Sequence, residues 1–133
     1  MPALDTNILV RWLVGDDAGQ TASVRALFES SLAVQASFYI PSTVMLELEW
    51  VLRSRYRFSK AEIIGVMNAL LEARELVFQD EAALERALHL FRQGTADFAD
   101  CLHVGLCGAH GRLPLLTFDL KASRLPGFEL LNT

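Results

Sequence analysis

The chain has 133 residues, 52% of them hydrophobic and 21% charged, with a formal net charge of −4. That length suits one domain with a single core, over residues 1–133, and the composition excludes a disordered chain. The acidic balance weighs against a protein that holds nucleic acid by charge alone, because such proteins are usually basic.

Short β-like runs alternate with longer helical patterns. Pro2 to Leu4 reads as a first strand, and Thr6 to Val14 as a helix with Ile8, Leu9, Trp12 and Leu13 on one stripe. Ala18 to Ser30 is a second helix after the acidic turn at Asp16-Asp17. Phe38 to Ile40 is a second strand, closed by Pro41-Ser42, and Thr43 to Arg53 a third helix. Ser59 and Glu62 then have capping-box spacing, with Phe58 and Ile63 placed as a hydrophobic staple, so a helix starts there and runs to about Ala73. Leu76 to Phe78 is a third strand. Glu81 to Gln93 is a helix stopped by Gly94, and Asp97 to His110 another stopped by Gly111. Leu115 to Phe118 is the fourth strand and Phe128 to Leu131 a candidate edge strand. This alternation predicts an α/β fold in layers, a mostly parallel central sheet flanked by helices. Ligands in such folds bind at the carboxyl ends of the strands.

Apolar runs are too short to span a bilayer, and no basic segment precedes the first of them. Cys101 and Cys107 lie on different faces of a helical pattern, so an intrachain disulfide is not expected; the chain reads as cytoplasmic.

Acids recur inside apolar runs: Leu4-Asp5-Thr6-Asn7, Met45-Leu46-Glu47-Leu48, Ala96-Asp97-Phe98-Ala99-Asp100 and Leu116-Thr117-Phe118-Asp119. Carboxylates driven towards one place repel each other unless protons or metal ions neutralise them. Asp5 follows the first strand and Asp119 the fourth, Glu47 lies a turn into the helix after the second, and Asp97 and Asp100 share one side of a helix start. The expected site is therefore a carboxylate cluster around a hard divalent cation.

Each residue also has a plainer reading. Asp5 and Asp97 suit helix caps, and the helix dipole favours Asp100 in a first turn by a few tenths to about 1 kcal/mol. Asp5 and Asp100 are nonetheless taken as ligands, with Asp97 second. On the helical wheel, Val44, Leu48, Val51 and Leu52 form the apolar stripe. Glu47 falls at its edge and is read as a ligand, whereas Glu49 falls away from it and is read as a solvated charge. Leu46 and Trp50 lie on the other side, which suggests a protein contact. Thr117 either orients a carboxylate or is an ordinary β-branched strand residue. Arg53, Arg55 and Arg57, followed by Lys60, are either a solvated helix end or a phosphate-contact patch. Cys101, His103, Cys107 and His110 do not form a zinc site on this reading, because Cys101 faces away from the others.

Taken together, the four motifs resemble those of the PIN-domain ribonucleases, specifically the VapC-like toxins of toxin–antitoxin pairs. The resemblance covers nearly the whole chain in order, including Glu47-Leu-Glu-Trp-Val-Leu and Ala-Asp-Phe-Ala-Asp-Cys-Leu-His. It implies that Asp5, Glu47, Asp100 and Asp119 form the acidic quartet, with Asn7, Asp97 and Thr117 in support. It also implies Mg²⁺ or Mn²⁺, endonucleolytic RNA cleavage by metal-activated water, a homodimer and a small antitoxin partner. Two alternatives come from other classes: a receiver-like phosphoacceptor domain using Asp80, and a catalytically silent PIN fold that only binds RNA or protein.

Overall fold

Parallel strands of only three residues each, every one followed by a helix or helical turn or closing a pair, set the frame of this fold. The structure, a computed structural model, describes residues 1–132. The chain divides into a unit of residues 1–79 and one of residues 80–133.

The first unit contains α1 (Thr6–Val14), α2 (Ala18–Ala33), β1 (Phe38–Ile40), α3 (Ser42–Ser54), α4 (Lys60–Glu72) and β2 (Leu76–Phe78). Strands β1 and β2 pair in parallel, with Phe38 opposite Leu76 and Ile40 opposite Phe78. The alternating burial of Phe38 and Ile40 against half-buried Tyr39 gives β1 one core face. Local chemistry sets the helix ends. Asp17 accepts from Gln20 N at 2.9 Å to start α2, and Gly15, at φ 67°, closes α1 in the left-handed conformation that glycine adopts freely. Both bonds of the capping box form at Ser59 and Glu62, as the spacing predicted. Trp12 stacks on Phe28 with ring centres 4.2 Å apart, and Phe28 meets Phe38 edge-on, joining α1, α2 and β1.

The second unit contains α5 (Glu81–Gln93), α6 (Phe98–Ala109), β3 (Leu115–Thr117), a 3-10 turn (Ala122–Arg124) and β4 (Phe128–Leu130). Strands β3 and β4 are also parallel, Leu115 opposite Phe128 and Thr117 opposite Leu130. Helices α5 and α6 cross closely at Gly105, where an added Cβ would lie 2.7 Å from the Ala83 carbonyl oxygen. The Phe91 and Phe98 rings meet in a T-shape 5.5 Å apart nearby in sequence.

The α/β class with parallel pairing is the one expected, and the candidate edge strand is real. Two details differ. The hydrogen-bonded strands form two parallel pairs instead of one continuous ladder. The first predicted strand shrinks to a single bridge between Ala3 and Tyr39, with Leu4 N donating to Tyr39 O and Tyr39 N to Pro2 O. Pro2 has no N–H to extend the ladder, and Asp5 already caps α1. Among the described residues, no helix is long and apolar enough to cross a membrane.

The two helical glycines at contrasting positions should respond with opposite sign. Gly105→Ala is expected to destabilise by about 1–3 kcal/mol through overpacking. Gly65→Ala, in exposed α4 with nothing within 4 Å of the new Cβ, should stabilise by about 0.5–1 kcal/mol. Urea denaturation of the two variants measures both.

Candidate active site

Acids sit at the amino ends of helices in both units, and the backbone fixes several of them. In the first unit Asp5 is the N-cap of α1, its Oδ1 accepting from Thr6 N at 2.7 Å. The capping role and a site role are compatible, because Asp5 Oδ2 makes no hydrogen bond among the described residues. Asp5, Asn7 and Glu47 line one cavity of about 260 Å³, together with Arg11, Trp50, Arg55 and Tyr56. Five of the residues singled out in the sequence, Asp5, Asn7, Glu47, Trp50 and Arg55, are therefore brought together here. Thr6 also lines this cavity, and its buried hydroxyl has no partner.

Helix α3, which carries Glu47, is anchored at its start by the residue that follows β2. Gln79 accepts from Ser42 N at 3.0 Å through its side chain, and from the Ser42 hydroxyl at 3.2 Å through its carbonyl. The observed core face of α3 is Met45, Leu48, Glu49 and Leu52, a rotation from the expected stripe. Glu47 is exposed towards the cavity side. Glu49 corrects the sequence reading: it is only 4% exposed, and its carboxylate accepts from Arg53 Nε at 2.9 Å. An acid was expected to avoid the buried face, but an arginine one turn later satisfies it there. Arg53 is accordingly an ion-paired residue and not merely a solvated helix end. Leu46 is half-buried and Trp50 is 55% exposed.

In the second unit Asp97 stands at the N-cap position of α6, yet its side chain makes no capping bond. The capping explanation for this acid fails. Its carboxylate is 75% exposed and lies 3.8 Å from Lys121 Nζ. Asp100 is half-buried in the first turn of α6. Burial pushes its carboxyl above the ordinary range; Asp119 and Asp97 push the same way, while His103 and Lys121 oppose them. Asp119 follows β3 and uses Oδ1 to accept from Lys121 N at 2.8 Å and Ala122 N at 3.2 Å. Thr117 does orient this residue, but through the backbone: its hydroxyl accepts from Asp119 N at 3.0 Å. Asp97 and Asp119 each lie within electrostatic reach of Asp100.

Sequence reasoning passed over Arg11. Its Nη1 lies 2.9 Å from Asp16 Oδ1 and 3.3 Å from Tyr56 Oη, its Nε donates to Gln20 at 2.6 Å, and the Tyr56 hydroxyl donates to Asp16 Oδ2 at 2.8 Å. The available signal was an arginine in the middle of the apolar run from Ile8 to Val14. The two cysteines are free, Cys101 buried and Cys107 half-buried. Among the described residues, no three His, Cys, Asp or Glu side chains are already gathered as a metal cage.

The PIN domain family model matches residues 3–127, a span that includes all four acidic motifs. The chain belongs to the PIN domain family. A VapC ribonuclease of Aquifex aeolicus (strain VF5) is 23% identical to it over 132 residues, covering 99% of this chain and 96% of that protein. No solved structure gives a significant match. The family sets aside the receiver-like alternative, and Asp80, the acceptor it needed, pairs with His110 at 3.3 Å.

A raised folded-state pKa at Asp100 means that its charged form weakens the fold. Stability linked to this group is fully present below the unfolded pKa of about 3.9 and is lost as pH rises through the raised folded value. Asp100→Asn should therefore melt higher than the parent at neutral pH in EDTA. That advantage should shrink as pH falls through the carboxyl's raised pKa and vanish below about pH 3.9. Calorimetric melting across this range gives the comparison.

Proposed function

We propose that this chain is a divalent-metal-dependent endoribonuclease, the toxin of a toxin–antitoxin pair, hydrolysing RNA phosphodiester bonds. Asp5, Glu47, Asp100 and Asp119 supply its carboxylates, and Asn7, Asp97 and Thr117 support them. The observation that carries this reading is Asp100, half-buried in the first turn of α6, its carboxyl pushed above the ordinary range first by burial and then by Asp119 and Asp97. Like charges are held close at a loss of stability, which is characteristic of functional sites. Membership of the PIN family and the similarity to a VapC ribonuclease point the same way.

The donor chemistry fits a hard cation. All the proposed ligands are oxygens, and Asp5 and Asp119 each commit one carboxylate oxygen to the backbone and keep the other unbonded. Neither Asp100 nor Glu47 has a hydrogen-bonded partner among the described residues. Mg²⁺ in particular takes one or two carboxylates and retains water, so a prebuilt cage is not required. Bound there, Mg²⁺ or Mn²⁺ would lower the pKa of water and stabilise charge on phosphate. The chain's own residues do the positioning: Thr117 fixes the Asp119 backbone, the backbone in turn fixes the Asp119 carboxylate, and Lys121 offsets part of the charge at Asp97.

The same reading carries a homodimer and an antitoxin as partners. Leu116, Phe118 and Leu120 are 55%, 66% and 66% exposed. They interleave in sequence with Thr117 and Asp119 and leave an exposed apolar stretch beside these polar residues.

Cleavage of single-stranded or looped RNA by the purified chain, with Mg²⁺ or Mn²⁺, is the test. Asp5→Ala, Asp100→Ala and Asp119→Ala should each lower the rate by more than the roughly 10–100-fold that loss of an outer-shell partner brings, with melting still cooperative. Cleavage that persists in EDTA would rule out the metal mechanism. A folded, metal-supplied chain that binds RNA without cutting it would establish the silent form of the fold.

A further inference from the structure

We propose that the cavity of the first unit is a nucleotide subsite: the Trp50 indole stacks on a base beside the cleaved phosphodiester, and Arg55, with Arg11 behind it, takes a neighbouring phosphate. The inference rests on the ribonuclease reading and specifies how the substrate is held.

The cavity has a chemically mixed lining. It combines the carboxylates Asp5 and Glu47 with Trp50, Arg55 and Arg11. Its volume of about 260 Å³ lies just under the roughly 300 Å³ at which drug-sized sites begin, which suits one nucleotide better than a helix of a partner protein. Trp50 is 55% exposed on α3, and among the described residues its ring stacks on no other; the second tryptophan, Trp12, is already stacked on Phe28. An open indole face beside a phosphate-binding charge is the usual means of holding single-stranded RNA without reading its sequence.

The cations are placed differently from each other. Arg55 is exposed, and its side chain makes no hydrogen bond or ion pair among the described residues, although Asp5 and Glu47 line the same cavity. Arg11 is pinned by Gln20, Asp16 and Tyr56 through Nε and Nη1, which leaves Nη2 without a partner. Tyr56 and Asp16 together hold its guanidinium firmly charged. An arginine without an ion pair and a fixed one make a cationic lining that a phosphate satisfies and an apolar protein anchor does not.

The test uses the full-length chain carrying Asp100→Asn, to stop turnover, and Trp12→Phe, so that Trp50 is the sole tryptophan of the two. A mixed-sequence single-stranded RNA oligonucleotide, titrated in Mg²⁺, should quench its fluorescence. Trp50→Ala should weaken RNA affinity by about tenfold or more, the loss of one base–aromatic stack, and Trp50→Phe should recover most of it. Arg55→Ala should reduce the slope of log affinity against log salt by about one. Unchanged RNA affinity in Trp50→Ala overturns the subsite, and if sedimentation then shows lost self-association, Trp50 is a protein contact instead. In that case cleavage by the otherwise unaltered chain still upholds the ribonuclease reading; a chain that neither binds nor cuts RNA removes both.

Discussion

Negative charge collects in this chain where backbone N–H groups have no partners of their own. The first N–H groups of any helix are unsatisfied and carry the positive end of its dipole. Asp5 sits against the start of α1, Asp97 and Asp100 at the start of α6, and Asp119 against the turn that follows β3. A strand that leads straight into a helix delivers these N–H groups to the strand's carboxyl end. The order of β3 and the helical turn after it places Asp119 in this way, whereas α6 follows α5 and carries Asp97 and Asp100 at its own start. Even so, the compensation is incomplete, since Asp100 remains destabilised by its neighbours.

Glu47 is the exception, and helix α3 explains how it is held. It lies past the first turn, where no helix end offsets its charge. What α3 offers instead is rigidity. Gln79 bonds its first residue, Met45, Leu48 and Leu52 bury one side, and Glu49 adds an ion pair with Arg53 along that side. The opposite side is then free to carry Glu47, Trp50 and Arg55 together into one cavity. Functional side chains on a helix fixed by its packing keep their positions better than those on loops.

What could be read in the sequence was whatever depends on neighbours within a few residues. The box at Ser59 and Glu62, the bounds of α5, and the acids at strand ends all follow from local capping, periodicity and turn chemistry. Contacts that cancel a local penalty were not legible. The wheel for α3 took Val44, Leu48, Val51 and Leu52 as the buried stripe, from which Glu49 falls away, and the arginine that neutralises Glu49 on the actual core face enters only once both side chains are placed. Arg11 gained its role from Tyr56, far along the chain, and no spacing rule connects them. Asp97 has the residue type of a cap, yet its carboxylate is turned to Lys121 and solvent.

Asp16 and Asp100 show how acids of structural and of functional character separate on energetic grounds. Asp16 is held below the ordinary carboxylate range, first by the Tyr56 hydroxyl and then by Arg11, against an opposing effect of burial. Its stabilising contribution is present above the unfolded pKa and is lost as pH falls through the depressed folded value. Asp100 is shifted the other way, so its charge weakens the fold at neutral pH. An acid that only supported the fold would be expected to resemble Asp16, with a hydroxyl and a guanidinium gathered around it. Asp100 is instead pushed up first by burial and then by Asp119 and Asp97, and His103 and Lys121 offset only part of that shift. Under the ribonuclease reading proposed above, the stabilising partner for that group comes from outside the chain, and a divalent cation with a phosphodiester beside it has the matching charge and ligand preference.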